Sequence, residues 1–442
     1  MAPLAPPDQN RLVEAVRQSP PVDLTKPYDA STLRGKTILV TGGSSGLGAA
    51  FARRWASHGA NLVIGDINDA AGEALVAELR TTSPGSSSSS GDNDDDGGGG
   101  SDGHGHHHHR HHFVHVDVTD WSSQASLFQE AVRLSPTGVL DAVVASAGIS
   151  DSHGAATGLG FENPAGLDRP DPPPPSLKCI EVNLIGMLYT AHLALFWLQQ
   201  DGNKAAGVKD GAGYDSGDGD GDGDGDGRRK RKRERDRERD RHFLMVGSYA
   251  GLAPIPGVPE YVTSKHGVTG LFRSLRTLSY RQGIRVNLLC PYFVDTPILG
   301  NRAMALLAGM GLTRLDDVVD AATRFVADGE PRISGRALAV GPRMSLLRDV
   351  LPVREVGGTE GEEEEEEEVV TARDGDVLVD EDVARGKGQA VWECYAHDYD
   401  TVDFFIRRYI RVLNTVAAVK GWVAFPGGNG EALASHPPTA ED

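Results

Sequence analysis

The chain has 442 residues, a formal net charge of −19 and 55 glycines. Three polar, low-complexity tracts, 81–112, 201–241 and 354–387, carry −14 of that charge. Such tracts cannot bury a hydrophobic core. The net charge therefore says little about the binding partners of the folded part. That part has about the size of one large domain. Three scattered cysteines exclude a disulfide framework and a thiolate metal cage. We therefore expect a protein of a reducing compartment, the cytoplasm.

Membrane insertion is not expected from the sequence. No apolar run reaches the roughly 18 residues that span a bilayer. The first ten residues, MAPLAPPDQN, lack the charged and apolar blocks of a signal peptide. We predict no transmembrane segment.

Apolar patterns alternate between two periods along the chain. Short buried-type strands are predicted at 36–41, 61–66, 113–117, 140–145, 243–246, 284–289 and 336–340. Helices are predicted between them at about 49–56, 70–79, 122–134, 177–198 and 261–282. Repeated βα units with nearly continuous apolar strands predict an α/β fold, a Rossmann-type doubly wound parallel sheet of about seven strands.

The polar tracts fall between these elements, where long insertions cost little. Asp66 and Asp117 are 51 residues apart, and removing the 32 residues of the first tract leaves 19, an ordinary crossover. The predicted organisation is an N-terminal arm 1–34 that is partly disordered, one domain 35–350 with disordered insertions 81–112 and 201–241, an acidic disordered insertion 354–387, a C-terminal helical extension 388–425 and a disordered tail 426–442.

A glycine turn joins the first predicted strand to the first helix. Gly42, Gly46 and Gly48 would let the backbone approach a pyrophosphate at the helix N-terminus. Asp66 lies 18 residues after Gly48 at the end of the next strand, where a carboxylate binds ribose hydroxyls and repels a 2′-phosphate. The pattern predicts a nicotinamide dinucleotide site that prefers NAD to NADP. A tight turn without a ligand is the less favoured interpretation.

Other residues near this turn bear on the coenzyme. Ser44 and Ser45 occupy the variable positions of the turn, where a basic residue would bind a 2′-phosphate. The nearest bases, Arg53 and Arg54, are better interpreted as exposed helix residues. Asp117 ends the third strand and is placed either to bind the adenine amino group or to cap the next helix.

Ser248, Tyr261 and Lys265 form a second constellation. Tyr261 and Lys265 are four residues apart and share one face of a helix. A phenol with a pKa near 10 is a poor base, and lowering that pKa to about 7 needs about 4 kcal/mol, which an ammonium about 4 Å away supplies. Ser248 follows a strand and could hold a substrate oxygen while the phenol exchanges its proton. The alternative, an amphipathic surface pair, does not account for the serine and the glycine turn.

Together these residues resemble the short-chain dehydrogenase/reductase family over about 35–342. The resemblance rests on the segments Thr41–Gly48, Asp117–Val118, Ala145–Gly148, Val182–Asn183, Ser248, Tyr261–Lys265, Arg285–Pro291 and Thr296–Pro297. It implies a catalytic tetrad in which Asn183 kinks its helix and holds a water. It also implies an NAD-dependent oxidoreductase that interconverts a secondary alcohol and a ketone.

The resemblance also implies a set of cofactor contacts, in which Lys265 binds the nicotinamide ribose and Val294 and Thr296 bind the carboxamide. The full set is Thr41, Gly42, Ser44, Ser45, Gly46, Leu47, Gly48, Asp66, Asp117, Val118, Ala147, Gly148, Tyr261, Lys265, Pro291, Val294 and Thr296. Two positions depart from the family pattern. The chain has Ser146 where many members have asparagine, and Tyr292 where many have glycine, which leaves the start of the substrate loop unpredicted.

Within the family, segments 162–168, 251–256 and 290–297 are similar to a branch that includes 15-hydroxyprostaglandin dehydrogenase and fungal hydroxyaverantin dehydrogenase. Those enzymes oxidise secondary alcohols on bulky hydrophobic molecules with NAD. The resemblance therefore implies a small-molecule alcohol or ketone substrate, a place in secondary metabolism, and a homodimer or homotetramer.

Other motifs have plainer interpretations. The histidines within 104–112 could bind a metal ion, but their Gly/Asp-rich surroundings favour adventitious binding, and we predict no metal site. The run 228–241 could contact nucleic acid, but its acids cancel its bases and no aromatic is interleaved, so we predict no nucleic-acid partner. The amphipathic segment 403–414 is predicted to pack on the body or on a second subunit, with a pocket lid or a membrane-surface contact as alternatives. A catalytically idle NAD-binding scaffold remains the alternative function.

Overall fold

Eight strands form one sheet in the part of the chain that the structure describes. They are β1 (Thr37–Thr41), β2 (Asn61–Asp66), β3 (His111–His115), β4 (Ala142–Ala145), β5 (His242–Val246), β6 (Arg285–Pro291), β7 (Ala337–Met344) and β8 (Gln389–Cys394). Their order is β3-β2-β1-β4-β5-β6-β7-β8. Strands β1 to β7 pair in parallel, and β8 is antiparallel to β7. The predicted doubly wound α/β sheet is confirmed, with one more strand than expected.

The helices are α1 (Gly46–Ser57), α2 (Asp69–Thr82), α3 (Trp121–Leu134), α4 (Lys178–Trp197), α5 (Pro259–Leu275) and α6 (Leu315–Val326). Helices α1, α2 and α6 pack on one face of the sheet, and α3, α4 and α5 pack on the other. The computed structural model describes residues 19, 21–83, 110–151, 167–168, 170–172, 174–200, 239–276, 282–300, 304, 307, 311–327, 332–344 and 389–395. All of these except Tyr395 belong to one compact unit, Gln18–Cys394.

The central strands explain the continuous apolar runs in the sequence. Every residue of β1, β4, β5 and β6 is buried. Because helices cover both faces of a parallel sheet, alternate residues of a strand have no solvent side to face. The sequence of these strands therefore lacks the period of two that marks a half-exposed strand.

The first polar tract is shorter than predicted at both ends. Thr81 and Thr82 complete α2, and β3 begins at His111, two residues before the predicted strand. His111 is buried and its Nε2 atom lies 2.8 Å from the Ser83 Oγ atom. Burial lowers the pKa of His111 to about 4. His111 and His112 lie in the sheet, where they pair with Leu62 and Val63 of β2. The rest of the tract lies outside the described residues.

The second tract also ends in ordered structure. Asp240, predicted to lie in a disordered insertion, is buried. Its carboxylate accepts hydrogen bonds from the Arg285 guanidinium at 2.6 and 2.7 Å and from the Lys36 ammonium at 3.0 Å. Burial opposes the charge, but Arg285 and Lys36 hold the pKa of Asp240 well below its usual range. The end of the charged run is therefore part of the core at the amino edge of the sheet.

Two elements near the C-terminal part of the domain differ from expectation. The predicted helical extension 388–425 begins with β8, a strand, because it completes the sheet edge beside β7 and its Glu393 forms a buried ion pair with Arg336 at 2.7 Å. The remainder of that extension, including 403–414, lies outside the described residues. Helix α6 was not predicted, although Val318, Ala322 and Phe325 are buried at helical spacing.

Helix α4 is, among the described residues, the one helix long and apolar enough to cross a membrane. It contains a π-helical turn, Glu181–Ile185, and 44% of its most apolar window is buried. It contacts β4, β5 and α3. A helix packed in a protein core satisfies the same length and composition criteria.

The buried carboxylate at position 240 yields a test of stability. Replacing Asp240 with asparagine leaves Arg285 buried without its counter-charge, so we expect Asp240→Asn to lose about 3–5 kcal/mol of unfolding free energy at pH 7. The measurement is urea denaturation followed by circular dichroism. Glu130→Gln, which removes an exposed pair with Arg133, is the control and should leave the midpoint close to wild type.

The same pair predicts a pH dependence. The native pKa of Asp240 lies below its unfolded value near 4, so its contribution to stability is complete above that pH and is lost as the pH falls below it. The stability difference between wild type and Asp240→Asn should therefore shrink in acid. A difference that stays constant from pH 7 to pH 3 would contradict the assignment.

Candidate active site

A cleft of about 1040 Å³ opens at the carboxyl ends of the central strands. Ligands bind at this edge in open α/β sheets, where the strand order reverses. The cleft is lined by every predicted site residue except Thr41, Ser44 and Asn183, namely Gly42, Ser45, Gly46, Leu47, Gly48, Asp66, Asp117, Val118, Ala147, Gly148, Ser248, Tyr261, Lys265, Pro291, Val294 and Thr296. Residues that are far apart in the sequence are thus brought to one cavity.

The glycine turn is shaped by contacts within the protein. Gly42 has φ +65°, and a Cβ atom there would lie 2.4 Å from the Ala147 Cα atom. A Cβ atom at Gly48 would lie 2.3 Å from the Gly42 carbonyl oxygen. Both positions therefore require glycine for the turn itself. Helix α1 begins at Gly46 with no side-chain cap from Ser45, so its first N–H groups suit an anion in the cleft.

Asp66 is held by the backbone around it. The Ser44 N–H group donates to one carboxylate oxygen and the Asn68 N–H group donates to the other, each at 3.0 Å. Each oxygen keeps a second acceptor site for a ribose hydroxyl. Ser44 and Thr41 are buried and do not line the cleft; Ser44 contributes through this backbone contact.

Asp117 does not cap the helix that comes after it. The Thr119 hydroxyl and N–H groups donate to its carboxylate at 2.7 and 2.9 Å, and these bonds lower the pKa of Asp117. Asp120 is the residue that caps α3, accepting from the Ser123 N–H group. Of the two predicted roles, the structure excludes the cap and leaves Asp117 on the wall of the cleft.

Asn183 lies behind the cleft. It sits in the π-helical turn of α4, and its side chain is fully buried. The amide accepts from the Ile149 N–H group at 2.8 Å and donates to the Ile149 carbonyl at 2.9 Å. The side chain thus fixes the turn after β4. The family resemblance implied a kinked helix here, and π turns of this kind are frequent at functional sites.

Ser248 and Tyr261 meet at the floor of the cleft. The Ser248 Oγ atom accepts from the Ala250 N–H group at 3.1 Å, which fixes the serine at the end of β5. Burial raises the pKa of the Tyr261 phenol, and its hydrogen bond with Ser248 opposes that rise. The phenol is therefore protonated at neutral pH in this structure.

Lys265 contacts the Tyr261 ring and strand β5. Its ammonium lies over the tyrosine ring, 5.6 Å from the ring centre, and donates to the Val246 carbonyl at 3.2 Å. Burial lowers the pKa of Lys265 to about 8. Burial is the largest influence on both pKa values, and the pKa of Tyr261 is raised here instead of lowered as predicted.

Gly148 keeps space open beside the lysine. A Cβ atom there would lie 3.3 Å from the Asn183 Oδ1 atom and 3.7 Å from the Lys265 Nζ atom. A larger side chain would fill the part of the cleft where Lys265 could meet a ribose. The uncapped helix, the anchored Asp66 and this space fit the three parts of a dinucleotide: pyrophosphate, adenosine ribose and nicotinamide ribose.

Sequence reasoning missed one connection in the site. The Ser264 hydroxyl donates to the Tyr261 carbonyl at 2.7 Å and accepts from the Asn183 amide at 3.2 Å. It therefore ties α5 to α4 directly beneath the tyrosine. The available signal was a small polar residue three positions after Tyr261 and next to Lys265, on the buried face of α5.

The chain is similar to known oxidoreductases. A family model described as short chain dehydrogenase matches residues 36–95 and 240–305. A 5′-hydroxyaverantin dehydrogenase of Emericella nidulans is 33% identical over 335 residues, a match that covers 73% of this chain and 88% of that protein. An NADP-dependent dehydrogenase of a Phoma species is 29% identical, and the match covers 75% of this chain and 81% of that protein. The mouse 15-hydroxyprostaglandin dehydrogenase [NAD(+)] is 24% identical, and the match covers 60% of this chain and 70% of that protein.

The space at Gly148 gives a binding test. Gly148→Ala places a methyl group against Asn183 and next to Lys265, so we expect the affinity for NADH to fall about tenfold, measured by calorimetric titration. Gly270→Ala is the matched control, because Gly270 lies on the exposed face of α5 with nothing within 4 Å of an added Cβ atom. Equal affinities in the two variants would remove Gly148 from the cofactor site.

Proposed function

The chain belongs to the short-chain dehydrogenase family, and we propose that it interconverts a secondary alcohol and a ketone with NAD as coenzyme. That it is an oxidoreductase follows from its relatives. The observation that carries the finer proposal is that Ser248, Tyr261 and Lys265 line the same cleft as the glycine turn and Asp66. One cavity can then hold a dinucleotide and an alcohol against the same tyrosine.

The residues divide the proton chemistry among them. When bound, NAD supplies the hydride acceptor and a positive charge near the tyrosine. In oxidation, Ser248 holds the substrate oxygen and Tyr261 takes the hydroxyl proton as a phenolate, a form that the positive charges of Lys265 and the bound coenzyme would favour; in reduction, the protonated phenol gives the proton to the substrate oxygen. Lys265 holds the ribose end of the coenzyme and contributes a second positive charge, since a pKa of about 8 leaves most of it protonated at pH 7.

Asn183 acts as a positioning residue in this proposal. Its amide fixes Ile149, which lines the cleft, and its contact with Ser264 supports the turn of α5 that carries Tyr261. The tyrosine is therefore supported from both helices on that face. A rigid support of this kind keeps the proton acceptor within reach of the substrate oxygen.

The preference for NAD rests on Asp66. Its carboxylate is fixed by two backbone N–H groups and would face the 2′-phosphate of NADP at short range. The relatives include an NADP-dependent enzyme and an NAD(+)-dependent one, so we infer the coenzyme of this chain from the residue at this position. We propose NAD because like charges at a fixed distance repel and because no arginine or lysine occupies the turn.

The proposed substrate is a bulky hydrophobic alcohol of secondary metabolism, handled in the cytoplasm. Support comes from relatives named for hydroxyaverantin and hydroxyprostaglandin and from apolar side chains in the cleft, among them Ile149, Ile255 and Leu299. We also propose a homodimer or homotetramer. Trp121 and Phe196, which are 43% and 54% exposed, present apolar surface on α3 and α4 that a second copy could cover.

The first test concerns the tyrosine. Tyr261→Phe removes the proton acceptor and keeps the ring, so turnover should fall at least about a thousandfold while NADH affinity changes by no more than a few-fold. Steady-state kinetics and calorimetry measure the two quantities. Full activity in this variant would contradict the role proposed for Tyr261. NADH binding by the wild-type protein without turnover of any alcohol would favour the alternative of an idle NAD-binding scaffold.

The second test concerns the coenzyme. Asp66→Ser removes the charge that opposes a 2′-phosphate, so the ratio of NADP to NAD affinity should rise at least about tenfold. Asp69→Ser is the control, because Asp69 is an exposed acid nearby that pairs with His115 and does not line the cleft. A wild-type enzyme that already prefers NADP would refute the assignment.

A further inference from the structure

Three aromatic rings form a continuous group beside the reacting position. The rings of Tyr249 and Tyr292 are perpendicular, with centres 5.2 Å apart. The rings of Tyr292 and Phe293 meet at 71°, with centres 4.6 Å apart. All three residues line the cleft. We call this group, Tyr249, Tyr292 and Phe293, the aromatic corner.

The aromatic corner is held close to the chemistry by the backbone. Tyr249 directly follows Ser248 and begins a short 3₁₀ turn after β5. Tyr292 directly follows Pro291 at the end of β6, and its N–H group donates to the Val340 carbonyl on β7 at 2.8 Å. The rings therefore lie beside the position where Ser248 would hold a substrate oxygen, within reach of the substituents on the reacting carbon.

Both tyrosines keep surface for a ligand. Tyr249 is 38% exposed, and Tyr292 is partly exposed. Within the described part of the chain, the structure shows no hydrogen-bond partner for either phenol hydroxyl. The rings thus offer face, edge and a polar tip to whatever enters the cleft.

The geometry favours a flat ring over a saturated one. Aromatic rings attract each other in offset or edge-to-face arrangements, beyond the burial of area alone. Because the Tyr249 and Tyr292 rings are perpendicular, a flat aromatic ligand can stack on the face of one ring and meet the edge of the other. These are the two favourable arrangements. A saturated ring system of the same size has no π face and is thicker than the aromatic one. The remaining wall, formed by aliphatic residues such as Ile149, Ile255 and Ile298, makes no such distinction.

We propose that the substrate carries a planar aromatic or fused-ring system next to the reacting carbinol, and that Tyr249 and Tyr292 select it. This inference rests on the proposed alcohol dehydrogenase function. The departure from the family pattern at Tyr292, a side chain where many members have glycine, is then a specificity determinant. The unpartnered phenol hydroxyls suit oxygen substituents on the same ring system.

The test compares two alcohols that share one skeleton. With NAD, 1-(2-naphthyl)ethanol and its decahydronaphthyl counterpart carry the same reacting group on an aromatic and a saturated ring pair. We expect the wild-type enzyme to favour the naphthyl alcohol at least about tenfold in kcat/KM. Tyr249→Leu and Tyr292→Leu should each reduce that ratio several-fold, while Tyr249→Phe and Tyr292→Phe should retain it. Thermal melts monitored by circular dichroism establish that each variant is folded.

Failure of this inference is distinguishable from failure of the proposed function. Turnover of both alcohols at equal efficiency, or a leucine variant with an unchanged ratio, overturns the aromatic selection and leaves the dehydrogenase standing. If neither alcohol is turned over, calorimetric binding of the two matching ketones in the presence of NADH decides. A preference for the naphthyl ketone that is lost in Tyr292→Leu supports the aromatic corner, and equal binding overturns it.

Discussion

The site depends on one close approach between two turns. The glycine turn after β1 and the turn after β4 come together at Gly42 and Ala147, so closely that no side chain fits at Gly42. Strand β1 lies between β2 and β4, so the chain adds β2 and β3 on one side of β1 and β4 to β8 on the other. Gly42 and Ala147 both line the cleft, so the contact lies at this reversal. Asp66 lies on one side, held by the Ser44 and Asn68 N–H groups, and Lys265 lies on the other, anchored to β5.

Support for the reactive residues is built from backbone contacts to buried side chains. Asn183 binds both backbone groups of Ile149, Ser264 joins two helices beneath Tyr261, and Lys265 is anchored to β5. Each of these contacts satisfies a polar group that would be costly to bury alone. These contacts hold Tyr261 and Lys265 in place from within the protein.

Much of the fold is readable from the sequence because the central strands are buried on both faces and leave unbroken apolar runs. The predicted strand at 61–66 has the observed bounds of β2. Three of the misses have a common cause, which is tertiary contact. His111 and Asp240 look like members of polar tracts and are recruited by a neighbouring strand and a buried arginine, while β8 comes after a long acidic segment and becomes a strand only by pairing with β7. For the site, spacing predicts which residues line one cleft, but the direction of the Lys265 ammonium and the right angle between Tyr249 and Tyr292 depend on packing that no local pattern encodes.

The places where the first two polar tracts join the described chain have a further meaning. One tract leads into β3 beside the Ser83–His111 hydrogen bond, and the other leads into β5 beside the Asp240–Arg285 pair. Both junctions lie at the amino ends of their strands, and the cleft lies at the carboxyl ends. A buried polar contact lies at each junction, at the edge of the sheet opposite the cleft. Insertions at the amino edge of the sheet therefore cost little folding free energy, whereas changes at the carboxyl edge alter the residues that line the cleft.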